Sequence, residues 1–156
     1  MVNGMAMMTR LLPAALLVAL LVAGPPARAT LGEAEATVDR DRQALAMDRE
    51  PVSIRGGVTV HELRTSTVSV REFLTPSGVV FAVAWSGMTR PDLAPLLGAY
   101  HAEYRAAAQH GPAGRGPRHI DAARVVVETW GHARNLHGRA WLPALLPAGV
   151  KLDDLQ

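Results

Sequence analysis

The chain contains no cysteine. That excludes a disulfide framework, thiolate zinc sites, iron–sulfur ligation and a cysteine nucleophile. Aromatic residues are scarce, at 4% with three tryptophans, so each tryptophan carries weight. Lysine occurs once, at Lys151, among 16 basic residues, an arginine excess that reads as genomic base composition rather than function. No apolar run reaches the ~20 residues a membrane-crossing helix needs; the run from Leu11 to Gly24 stops at 14. At 156 residues, 49% hydrophobic and 19% charged, the chain is too apolar for disorder and sized for one domain.

Residues 1–29 read as a cleavable secretory signal. Arg10 supplies the positive start, LLPAALLVALLVAG the apolar core, and Ala27-Arg28-Ala29 the small-residue cleavage site. An uncleaved anchor is the competing reading. Without a cysteine there is no lipid attachment point, and no membrane span is expected after cleavage. Setting aside Arg10 and Arg28 leaves 14 basic against 14 acidic residues in 30–156, a formal charge of zero. The basic excess of a nucleic-acid binder is missing, so no nucleic acid is expected as a partner. The expected location is the periplasm or the outside of the cell, with residues 30–156 as a single domain.

Thr30 and Glu33 are spaced as a capping box, and Leu31, Ala34, Val38 and Leu45 recur at helical spacing. A helix to about Met47 is expected, then a connection from Arg49 to Gly57 broken by Pro51. The period changes to two over Val58 to Arg64, Val68 to Leu74 and Val79 to Trp85, which predicts a three-stranded antiparallel meander. Phe81, Val83 and Trp85 are expected to share one buried face. Thr75-Pro76-Ser77-Gly78 fits a type I turn closed by a glycine bulge. A second helix is expected from Asp92, with Pro95 in its first turn, to just before Gly111. Gly111 to His119 (GPAGRGPRH) reads as a mobile loop. Ala122 to His132 and His137 to Pro143 are the last two strands, turning at Arg134-Asn135.

Three stretches then stand in order: Val70-Arg71-Glu72-Phe73 with Gly78 to Gly87; Pro91-Asp92-Leu93 with Leu96 to Tyr100; and Gly138 to Pro143 with Pro147 to Val150 and Asp153-Asp154-Leu155. This ordered set resembles a family of small secreted proteobacterial proteins known as domain of unknown function 2844. The resemblance implies secretion and a single domain. It brings no activity, cofactor or catalytic residue.

The serines at 53, 66, 69, 77 and 86 fall in no G-x-S-x-G elbow and no S-x-x-K arrangement. Ser86, at a strand end, is a turn residue or a nucleophile. His61-Glu62 is followed by Leu63-Arg64-Thr65, so H-E-x-x-H is absent. With Ser66-Thr67 as the first turn, Leu63 opposes Val70, Glu62 opposes Arg71 and His61 opposes Glu72. The last pair is either a poised acid–base couple or a structural pair at the sheet margin.

In the last hairpin, Val125, Val127, Thr129, Ala140 and Leu142 make a core face. Glu128, Trp130, His132, His137, Arg139 and Trp141 make the other. Turning at Arg134-Asn135 sets His132 against His137, two imidazoles that could share an ion but lack a third ligand, and sets Arg139 against Trp130 for cation–π stacking. Aromatic platforms edged by planar polar groups suit sugars or peptides; the competing reading puts both tryptophans under a helix or the C-terminal tail. Arg115 and Arg118 in the 111–119 loop could clamp an anion or simply belong to a connector.

The expected architecture is α+β: helix, three-strand meander, helix and two-strand hairpin, in one antiparallel sheet of about five strands with helices on one face. The expected function is a non-enzymatic accessory or binding module of the envelope, taking an envelope protein or a glycan at Trp130, Trp141, Arg139, Glu128, His132 and His137. No metal or cofactor is implied. The rivals are a small envelope hydrolase or transferase using His61 and Glu72 or the His132 and His137 pair, and a structural subunit of an envelope assembly.

Overall fold

The computed structural model describes residues 31–34, 48–55, 57–111 and 116–156. The signal segment, the body of the expected first helix (35–47) and residues 112–115 lie outside the described residues. Among those described, no helix is long and apolar enough to cross a membrane.

Among the described residues seven strands form one antiparallel sheet, two more than expected, in the order β1-β2-β3-β4-β7-β6-β5. The alternating sequences of β2 (Val58–Arg64) and β3 (Val68–Leu74) pair as the sequence dictates, Leu63 with Val70, Glu62 with Arg71 and His61 with Glu72. The next turn follows its chemistry too. Gly78 donates its N–H to the Thr75 carbonyl at 2.9 Å with φ 78°, a conformation only glycine adopts freely. The expected connection at Arg49 to Gly57 is instead strand β1 (Asp48–Arg55), at the sheet edge. Its pairing with β2 slips between Glu50 and Ser53, around Pro51. An edge strand with such an irregularity tolerates proline, which a central strand does not.

Strand β4 (Val80–Gly87) brings a correction. A bulge against β3, where Phe73 pairs with Ala82 but Leu74 with Val80, leaves Phe81 as the extra residue. Phe81 therefore joins Ala82 and Ala84 on one face, while Val83 and Trp85 bury on the other. All three expected core residues are buried, but they do not share a face.

At the N-terminal end of the description, residues 31–34 form a turn and a bridge, not the first turn of a helix. Ala34 pairs with Val79, and Val80 donates to the Glu33 carbonyl at 2.9 Å. Leu31 is buried against the helix side of the sheet.

The single helix expected after β4 is two. Asp92 caps α1 (Leu93–Leu97) by accepting from the Ala94 amide at 2.9 Å, and Pro95 lies in the first turn. The chain tightens into a 3-10 turn at Gly98–Tyr100 and resumes as α2 (His101–His110). Leu93, Leu96 and Leu97, with Tyr100, Tyr104 and Ala107, cover one face of the sheet. Glu103 pins α2 to the far hairpin by accepting from the Arg124 amide at 2.6 Å and its Nε at 2.9 Å.

The last part of the sheet is β5 (Arg118–Asp121), β6 (Val126–His132) and β7 (Asn135–Trp141). Strand β5 was expected to be loop, and β6 begins later than the expected Ala122. The residues after Trp141 fold back over the face opposite the helices. Leu146, Val150, Leu152 and Leu155 pack there on Val58, Val60, Phe73, Phe81, Val126 and Trp141. Each sheet face thus has its own cover, helices on one side and the C-terminal tail on the other.

Candidate functional site

The expected core set of the last hairpin, Val125, Val127, Thr129, Ala140 and Leu142, is buried on the helix side. The partner set faces the tail side, as the alternation requires. The register, however, differs by two residues. The turn is Ala133-Arg134, with Arg134 at φ 66°, and His132 pairs with Asn135 instead of His137. The two imidazoles are not brought together, and His132 sits exposed at the hairpin tip. Because a shift of two preserves the faces, the chemistry of the surface survives with new partners.

Three cross-strand rows organise this face. The innermost, Val60, Phe73, Ala82, Trp141 and Val126, is apolar. The middle row runs Glu62, Arg71, Ala84, Arg139, Glu128 and His119. The outer row runs Arg64, Ser69, Ser86, His137 and Trp130.

The inner row lies under the tail. Of the two readings of Trp141, the one that puts it under the C-terminal tail holds: it is only 5% exposed, with Leu155 and its neighbours packed over it. The middle row ties the tail down. Arg139 gives its Nε to Glu128 at 2.6 Å and another nitrogen to the Leu152 carbonyl. Its guanidinium lies 5.6 Å from the Trp130 ring and 5.7 Å from that of Trp141. Arg71 likewise donates to the Gln156 carbonyl and stands 3.4 Å from Glu62. Glu128 also accepts from His119 at 2.9 Å. Burial pushes the Glu128 carboxyl up, but the His119 and Arg139 hydrogen bonds and charges outweigh it and hold it below its ordinary range.

The outer row is the accessible one. Trp130 stacks on His137 at 5.9 Å with 9° between the planes, and His137 Nε2 meets Asn135 Oδ1 at 2.9 Å. Both ring contacts of Trp130, His137 and Arg139, come from β7. Its other side looks across to β5, where Pro117, Arg118, His119, Glu128 and Thr129 line a groove of about 230 Å³ with it. On the β7 side, Arg71, Ser86, Trp130, His137 and Gln156 line a second groove of about 210 Å³. Trp130 is therefore a half-buried ridge between two grooves.

A cleft of about 420 Å³ opens between the tail and the β2–β3 end of the same face, lined by Val58, Phe73, Asp153, Asp154 and Leu155. None of the expected site residues lines it. His61 and Glu72 pair as expected but are fully buried on the helix-side face, away from these grooves. Among the described residues, no three His, Asp or Glu side chains gather to hold a metal.

The sequence model of a family described as Protein of unknown function (DUF2844) matches residues 27–155. The chain belongs to that family. No curated protein and no solved structure matches it. Within this member of the family, His119 lies not in the expected 111–119 loop but on β5, where it bonds Glu128 and joins the site. The alternation of Ile120 and Ala122, buried, with Asp121, exposed, was the signal for β5. The flanking Gly-Pro pairs masked it.

Proposed function

We propose that the protein is an exported, non-catalytic binding module of the cell envelope whose ligand is a glycan seated on Trp130. One observation carries the reading: a tryptophan braced on one side by His137 and Arg139 and open on the other to a polar groove. A sugar presents an apolar C–H face edged with hydroxyls. The indole takes that face, and His119 and Glu128 at the groove rim take hydroxyls. Buried tryptophan would serve packing alone, whereas a braced and half-exposed one offers a rigid platform at little conformational cost.

The export half of the proposal rests on the Arg10 start, the apolar core and Ala27-Arg28-Ala29. The burial of His61 and Glu72 favours binding over an acid–base reaction at that pair. The test is a glycan array probed with the exported protein and with Trp130→Ala. Array signals that disappear in the variant support the reading. Identical signals for both proteins, or no signal with either, reject it. N-terminal sequencing of the exported chain checks the leader: a start at Thr30 is expected, and a start within residues 1–8 rejects cleavage.

A further inference from the structure

Resting on the glycan reading of Trp130, we infer that the ligand is acidic and that the groove beside Ser86 receives a sugar carboxylate. Ser86 lines two adjoining clefts, the one that ends at Trp130 and a second of about 300 Å³ that reaches Arg134 at the hairpin tip. Arg71 forms one wall of the first, and His137 with Trp130 the other. The floor between is Ala84, whose small side chain leaves the depression open.

The two cations at this depression are unequally engaged. The Arg71 Nε is buried against Glu62 at 3.4 Å and another of its nitrogens holds the Gln156 carbonyl, so Arg71 lends the groove its charge rather than a free donor. Glu62, 3.4 Å from it, already accepts from Arg64 at 2.8 Å and from Ser69 at 2.7 Å. Arg134 is exposed, and among the described residues its guanidinium meets the weak acceptor Sδ of Met88, at 3.9 Å. Ser86, paired with His137 across the strands, lines both the cleft walled by Arg71 and the one that reaches Arg134. Arginine's planar fork matches a carboxylate, and such charge-assisted bonds are about twice as strong as neutral ones. A neutral sugar would leave the exposed Arg134 guanidinium without an anion among the described residues.

The spacing suits one extended ligand. Ser86 on β4 and Trp130 on β6 are separated by two strand spacings, ~10 Å. A disaccharide or longer chain laid across the strands stacks one ring on Trp130 and places the carboxylate of another at Ser86 and Arg134, with the Arg71 charge alongside.

The experiment titrates the exported protein calorimetrically with trigalacturonate and with its methyl ester, which keeps every ring and hydroxyl and loses the charge. A glycan array spanning acidic and neutral oligosaccharides accompanies it. The acid is expected to bind about tenfold more tightly than the ester, and the preference to shrink as salt is raised. Ser86→Ala and Arg134→Ala, at half-exposed and exposed positions outside the core, should remove most of the preference for the acid over the ester. Trp130→Ala should weaken both. Equal affinity for acid and ester, or array signals confined to neutral glycans, overturns the acidic ligand and leaves the glycan reading standing. No glycan bound at all overturns both.

Discussion

The two faces of the sheet are covered by different means. On the helix side, α1 and α2 lay Leu93, Leu96, Leu97 and the two tyrosines on a floor that runs from Leu63 to Leu142. The contact is almost wholly apolar, and His61 and Glu72 are enclosed within it. On the tail side, a chain without an α-helix drops four apolar side chains onto one row of the sheet, and Arg71 and Arg139 hold its carbonyls. A continuous apolar layer is coherent and hard to open locally. A strap held by a few side chains and two guanidinium groups opens more easily, because fewer contacts must break together. The polar half of the sheet is therefore on the side where the cover is narrow, and that is where a ligand can reach it.

The comparison breaks most severely at Gly138 and Phe81. Gly138 lies opposite Trp85, and a Cβ there would stand 2.2 Å from the Trp85 ring and 2.8 Å from the Glu128 carbonyl. Gly138→Ala must displace a packed indole or the strand itself, and is expected to abolish folding or lower the melting temperature by more than any other single change proposed. Phe81→Ala removes a fully buried ring on the tail side and should cost ~3–5 kcal/mol in urea melts. A loss below ~1 kcal/mol would show that the bulge does not turn Phe81 inward.

Smaller effects separate the faces. Leu155→Ala should cost ~2–3 kcal/mol, toward the low end for buried leucine, because the tail can collapse onto the gap. Arg139→Ala removes the Glu128 pair and the hold on Leu152, and should cost ~1–3 kcal/mol. Both should speed hydrogen exchange in the tail and leave α1 and α2 protected. Equal deprotection of helices and tail would mean that the faces unfold as one unit.

Acid should loosen the same polar contacts. Burial raises the Glu62 carboxyl, but hydrogen bonds from Ser69 and Arg64 and the charges of Arg71 and Arg64 carry it below its ordinary value. Glu103 is lowered chiefly by the Arg124 amide. Groups with depressed folded values add stability that is present above the unfolded carboxylate range, ~4.3, and is lost as pH falls through the folded values. Melts from pH 6 to pH 2 should therefore show falling stability, with a shallower fall in Glu62→Gln and Glu128→Gln. An unchanged acid limb in both variants would remove these pairs from the account.

How much of this was legible in the sequence depends on how local each determinant is. The β2–β3 register and the glycine turn follow from residues within a few positions of one another, and both stand as read. The family and the single antiparallel α+β sheet were legible from ordered motifs and period. The β6–β7 register was not. Ala133-Arg134 and Arg134-Asn135 both keep the same faces buried, so the hydrophobic pattern cannot choose between them. The bulge at Phe81 was hidden because every residue from Val80 to Trp85 is buried, which erases the alternation that marks a face. Strand β1 carries a proline that argues against a strand unless its edge position is known. The site was half legible: its face was identified, but the burial of Trp141 depends on a tail that bears no periodic signal.

Trp130→Ala should have the smallest effect on stability and the sharpest on function. Its ring is half-exposed, and its contacts are His137 and Arg139 rather than the apolar core. Truncation gives up one stacked pair and one cation–π contact, each worth on the order of 0.5–1 kcal/mol at such a site. Arg139 keeps Glu128, Leu152 and Trp141, so the strap stays fastened. A stability loss near ~1 kcal/mol with glycan binding abolished would separate the platform from the core. Should Trp130→Ala instead cost as much as Phe81→Ala, the ring belongs to the core and the grooves beside it are packing defects. The same melt run with and without ligand decides the matter, since bound ligand must raise the wild-type transition and leave that of Trp130→Ala where it was.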